Sequence, residues 1–173
     1  MEKILKTLAI LCVLQLATGC VSKYKGPPPN FELTGESAKL EVEKFRFREG
    51  YWSQYPNGFT MGPEAKTYFT SSLEPVIAEV SPQAMRVIEK SKKWEYLEWA
   101  TLSAALAMLM IEVTDDDGDF FTQDQTILYY SLLGISIGSS YVRLSFMSQA
   151  AEQYNRDLGA RFTPAIVFNI PLN

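Results

Sequence analysis

The chain has 173 residues, enough for one domain with a short tail, and its 47% hydrophobic and 21% charged content is that of an ordinary globular protein. A net charge of −4 argues against a nucleic-acid surface, which needs a basic face. The chain has no histidine, which takes away the commonest general base and metal ligand and rules out Ser-His and Cys-His catalytic designs.

The N-terminus reads as a processing segment. Lys3 and Lys6 make a basic start, Leu8 to Leu16 is apolar apart from Gln15, and Ala17-Thr18-Gly19 are small residues before Cys20. The apolar run is too short to cross a bilayer and stay, so residues 1–19 read as a signal peptide. The stretch LQLATGC resembles the lipobox of bacterial lipoproteins. Ala17 stands three residues before the cysteine, where that family usually has Leu, Val or Ile. The resemblance implies cleavage before Cys20, a diacylglycerol on its sulfur and an acylated new N-terminus. Two acyl chains hold a protein stably on a membrane. Val21, in place of the Asp of inner-membrane retention, implies the periplasmic face of the outer membrane. Cys12 leaves with the signal and Cys20 is consumed by lipid, so neither a disulfide nor a catalytic thiol is expected.

Residues 20–36 contain Gly26-Pro27-Pro28-Pro29, which predicts an extended, lipidated tether. Residues 37–173 are expected to form a single domain. Leu40 and Val42, then Phe45 and Phe47 in the opposite phase, predict a strand with a bulge near Glu43-Lys44. Asn57-Gly58 predicts a turn, and Gly62-Pro63 a short helix to about Ser72. Ser81-Pro82 is a cap followed by a first-turn proline and opens a helix to about Val113. Thr122 and Gln125 have capping-box spacing and open a second helix to Leu158, with Gly159 as its stop. Alternation of Ile166, Phe168, Ile170 and Leu172 predicts a C-terminal strand, pairing with the first. The expected fold is therefore α+β, mainly α: a long antiparallel helical hairpin, about 82–113 and 123–158, on a small body with N- and C-terminal strands.

The hairpin carries the functional reading. Both helices have amphipathic bases and tips that are apolar all round, and such helices need protein or lipid around them. Trp94 to Val113 is about 30 Å of helix. Trp94, Tyr96, Trp99, Tyr141 and Phe146 cluster at one level, and Phe120, Phe121, Tyr129 and Tyr130 at the other, as interfacial belts do. Gly134 and Gly138 form a GxxxG placed to face Ala100, Ser103, Ala104 and Ala107 of the other helix. Trp94, Trp99, Ala104, Gly134, Gly138 and Tyr141 are the expected membrane or partner contacts. Against insertion stand the many Ser and Ala of the tips and the acids Glu95, Glu98 and Glu112 within the first span.

Between the helices, Asp115, Asp117 and Asp119 fit the first acidic positions of a calcium loop, but Phe120 and Thr126 occupy its Gly and Glu places. These aspartates are expected to stop one helix and keep the tip hydrated, with metal binding the lesser alternative. Glu95/Glu98 and Glu41/Glu43 read as solvated faces, and Tyr154, Arg156 and Asp157 as packing anchors at a helix end. No phosphate loop or nucleophile elbow is found, and no cofactor is expected. The sequence points to a non-enzymatic envelope lipoprotein with a membrane-embedded or self-associating hairpin, whose partners are membrane lipid, copies of itself or another envelope protein. The alternative is a soluble module whose apolar hairpin lines the site of a lipid-like ligand.

Overall fold

A computed structural model describes residues 22–48, 54–55, 58–114 and 121–163. The elements in chain order are α1 (Gly35–Phe45), β1 (Gln54–Tyr55), β2 (Gly58–Met61), β3 (Lys66–Phe69), α2 (Thr70–Val80), α3 (Pro82–Thr114) and α4 (Gln123–Phe162). The protein is a mainly helical α+β chain, and α3 and α4 form a long antiparallel pair. The described residues fall into two compact units: a body of residues 22–86 and 148–163, and a hairpin of residues 87–114 and 121–147. Both long helices contribute to both units.

In the body, β1, β2 and β3 form an antiparallel sheet in that order, with Phe59 opposite Tyr68 and Thr60 opposite Thr67. Gly62 turns the chain between β2 and β3 at φ +73°, and an added Cβ would meet the Lys44 carbonyl oxygen at 2.9 Å. Gly58 is equally constrained, with the Tyr68 carbonyl 2.5 Å from where a Cβ would stand. Phe47 runs antiparallel beside Met61, and the Asn155 side chain from α4 pairs with it like a third strand. Asn155 Oδ1 accepts from Phe47 N at 2.8 Å, and Asn155 Nδ2 donates to Phe47 O at 2.7 Å. The Phe47 ring stacks between Phe59, at 4.7 Å, and Tyr154, at 4.1 Å. Leu73, Ile77, Val80, Ala84, Ala151 and Leu158 are buried in the same unit.

Several expectations are corrected here. Residues 40–45 lie in helix α1, not in a strand. Ala38, Val42 and Phe45 recur at helical spacing, Ala38 and Phe45 are buried, and Leu40 is 68% exposed. The apparent alternation came from an outward-facing leucine in a segment rich in strong helix formers. Gly62-Pro63 is the turn of a β-hairpin, and the helix begins only at Thr70. The helix after Thr122 passes through Gly159 to Phe162. A glycine inside a helix costs only about 1 kcal/mol relative to alanine. Buried Leu158 and the contacts of Phe162 and Arg161 with the Phe31 ring, at 5.3 and 4.9 Å, hold the extra turn. The expected C-terminal strand beyond Thr163 lies outside the described residues.

The tether also changes character. Ser22 N donates to Thr67 O and Ser22 O accepts from Phe69 N, both at 2.9 Å, so the chain joins the outer edge of β3. Tyr24 N donates to Ser72 Oγ at 3.0 Å, and its ring meets Tyr68 and Phe45 edge-on. Pro29 is buried. Residues from Ser22 onward therefore belong to the body rather than to a free spacer. The prolines specify extended backbone, and the body uses that extension as docked chain.

Candidate functional site

The two cap signals position the long helices. Buried Ser81 precedes α3; its Oγ accepts from Ala84 N at 3.1 Å and donates to the Asp157 carboxylate of α4. Asp157 also accepts from Gln153 Nε2 at 2.9 Å. The carboxylate is thus committed to a helix cap, as expected of a packing anchor. At the start of α4 the capping box is reciprocal: Gln125 N donates to Thr122 Oγ1 at 3.4 Å, and Thr122 N to Gln125 Oε1 at 2.8 Å.

Within the hairpin, most of the residues turned fully inward are small or polar. Ser91, Thr101, Ala105, Ser136, Ser139 and Arg143 are buried there, beside the larger apolar Ile88 and Met147. Arg143 Nε donates to Glu98 Oε2 at 2.8 Å, with the two side chains 3% and 17% exposed. Ser136 Oγ reaches the Glu98 carbonyl at 3.3 Å, and Thr101 Oγ1 returns its proton to Leu97 O at 2.8 Å. Ser91 Oγ donates to Ile88 O at 2.7 Å and lies 3.6 Å from Met147 Sδ. Each buried hydroxyl named here with a bond avoids the cost of an unpaired polar group.

Many large apolar residues are turned outward. Tyr96, Trp99, Ile111, Ile127, Leu128, Tyr130, Ile135, Ile137 and Tyr141 are all exposed. Leu40, in the body, is the one large exposed hydrophobic recorded there among the described residues. A hairpin made to sit in water turns its apolar stripe inward, and here many large apolar side chains face out instead.

Most of the contact residues expected from sequence share that outer surface. Trp99 and Tyr141 are more than half exposed, Ala104, Gly134 and Gly138 are exposed, and Trp94 is half-buried. The expected partner of the GxxxG is corrected. A Cβ added at Gly134 or Gly138 would meet nothing within 4 Å, and Ala100, Ser103, Ala104 and Ala107 are exposed too. The seam of α4 runs through Ser136, Ser139 and Arg143. A step of two residues turns a helix by about 200°, which carries both glycines to the far side. The missed feature is the Arg143–Glu98 pair. Its signal was two opposite charges at matching heights on antiparallel helices.

The body presents two adjoining clefts that share Gly62 and Pro63. One, of about 330 Å³, is lined by Tyr24, Lys44, Phe45, Lys66 and Tyr68 among others; the second, of about 360 Å³, by Glu43, Arg46 and Arg48. Burial, with Tyr68 and Glu41 nearby, pushes the Tyr24 hydroxyl above its ordinary range. Lys66 and Glu64 pair at 2.5 Å in full solvent, which lowers the carboxyl and raises the amine through their hydrogen bond. Tyr154 has a buried hydroxyl with no hydrogen-bond partner, and burial raises its pKa strongly, with Tyr24 adding to the effect. Glu41 is engaged by Lys44 at 3.5 Å and by Asn30 N at 3.2 Å.

Among the described residues, no group of three or more His, Cys, Asp or Glu is placed to hold a metal. Asp115, Asp117 and Asp119 lie outside the described residues, as does Cys20. No described helix is long and apolar enough to cross a membrane. Comparison with protein-family models, curated proteins and solved structures finds no match to this chain.

Proposed function

We propose that this chain is a non-enzymatic lipoprotein of the bacterial cell envelope, anchored through Cys20 on the periplasmic face of the outer membrane, whose hairpin is an assembly surface that packs against copies of itself. One observation carries the reading: the hairpin buries mostly small and polar residues, with Ile88 and Met147 the larger apolar ones, and exposes many large apolar side chains. An apolar surface of that extent in water marks an interaction site. Gly134 and Gly138 leave a shallow strip between Ile135 on one side and Ile137 and Tyr141 on the other, where a second helix approaches closely. Ile127 to Val142 carries no charge, so such a contact strands none there. A protein sheath is favoured over a spanning one because no described helix has the length and apolarity to cross.

Cysteine placement tests the assembly, because lipidation of Cys20 leaves the mature chain without another thiol. In the full chain in its membrane, Gly138→Cys gives a disulfide-linked dimer under mild oxidation, whereas Ser139→Cys, in the seam, does not. Absence of a dimer from Gly138→Cys and from Gly134→Cys overturns the assembly. Radiolabelled palmitate on the wild type, lost in Cys20→Ser, tests the anchor separately.

A further inference from the structure

We infer that the face of the body formed by Lys23, Tyr24, Lys25, Lys44, Lys66 and Tyr68 lies against the membrane and binds the headgroups of anionic phospholipids. The inference rests on the proposed lipidation of Cys20. Ser22 is hydrogen-bonded on both sides into β3, and two residues of chain span at most about 7 Å. An acyl group on Cys20 therefore sets the bilayer surface within about that distance of Ser22, whatever path the two residues take. The body has no slack by which to stand away from the lipid.

What lies around that point suits a headgroup layer. Lys23 and Lys25 are exposed on either side of Tyr24. Lys44 and Lys66 line the cleft that Tyr24 and Tyr68 also line, and they are 58% and 63% exposed. Glu41 and Glu64 pair with these two lysines, which leaves Lys23 and Lys25 as the surplus charge among the six groups. This local excess of positive charge stands on a chain whose total is −4. Tyr24 and Tyr68 meet edge to face at 5.4 Å, a pair of amphipathic rings of the kind found at membrane interfaces. Each basic side chain near an anionic leaflet favours the bound state by about fivefold. The anchor keeps the protein on the membrane, and this face sets which side of it is turned down.

The test uses the intact acylated protein, reconstituted in vesicles of phosphatidylcholine alone or of three parts phosphatidylcholine to one part phosphatidylglycerol. Surface lysines are modified with a water-soluble amine reagent, and each site is quantified by mass spectrometry. Labelling of Lys23, Lys25, Lys44 and Lys66 falls by at least about fivefold in the anionic vesicles, while exposed Lys39 and Lys90 keep their rates. Lys23→Glu with Lys66→Glu relieves the protection of Lys25 and Lys44; Lys90→Glu with Lys93→Glu, the same charge change on the hairpin, does not. Equal labelling in both vesicles, or equal loss from both double variants, overturns the inference. So does protection produced in neutral vesicles by soluble glycerol phosphate, which would mark a small-anion site. The intact mass of the same sample separates the two claims: a missing acyl mass sinks the anchor, and an acylated protein without lysine protection sinks only the headgroup face.

Discussion

Arg143 and Glu98 meet at 2.8 Å across the seam of the hairpin, the arginine side chain 3% and the glutamate side chain 17% exposed. The pair fixes which faces of α3 and α4 look at each other, and so which faces look out. Removing Arg143 takes from Glu98 its ion-pair partner. Arg143→Met is expected to destabilise the protein by about 3 kcal/mol, the lower end of the range for breaking a buried pair, because Glu98 keeps some solvent. The double variant Arg143→Met with Glu98→Leu is expected to recover most of that loss. Urea unfolding of the two single variants and the double variant measures the cycle.

Asn155 acts as a strand partner for Phe47, giving and taking one bond at 2.7 and 2.8 Å. Asn155→Ala leaves two backbone groups unpaired in a partly buried place. The expected cost is about 2–4 kcal/mol, read as a fall in the denaturation midpoint with an unchanged slope.

Tyr154 is held by stacking on Phe47, and its hydroxyl is buried without a partner. Tyr154→Phe keeps the ring and removes that hydroxyl, so it is expected to be neutral or to stabilise by up to about 1 kcal/mol. Tyr154→Ala is expected to cost about 3–5 kcal/mol. Thermal unfolding of the two variants separates ring from hydroxyl.

Alkaline pH should act through the same residue and through Tyr24. Burial raises both hydroxyls above the ordinary value, so above about pH 10 the unfolded chain gives up these protons before the folded one. Their contribution is complete below that pH and is lost as pH climbs towards the raised values. Unfolding midpoints measured from neutral pH to about pH 11 should fall less steeply in Tyr154→Phe than in the wild type. Identical slopes would remove Tyr154 from the account.

Gly134 and Gly138 stand in open space within α4. Alanine at either position should stabilise the folded chain by about 1 kcal/mol through helix propensity. The same change should weaken self-association by narrowing the approach of a second helix. Thermal unfolding and cross-linking yield would then move in opposite directions, which a purely structural glycine does not predict.

The long hairpin and both of its cap signals were legible in the sequence because those signals are local. Ser81 and Thr122 bond within three residues, and their residue types state the geometry. The path of Ser22 and Tyr24 was hidden, since their partners Thr67, Phe69 and Ser72 are distant in the chain. Helix α1 was misread because a short apolar run fits two periods, and only the exposure of Leu40 decides between them. The seam was missed because small residues occur on both sides of α4. Ser136 and Gly134 are equally able to admit a neighbour, and what selects the serine side is Arg143 finding Glu98.

The bonding of Ser22 to β3 has one more effect. An outermost strand with idle amides is a template on which foreign or sibling chains polymerise. Here the amide of Phe69 and the carbonyl of Thr67 are already occupied by the chain's own leading segment. The protein therefore shields that margin of its sheet from fibril-type growth, and does so with its own chain at Ser22.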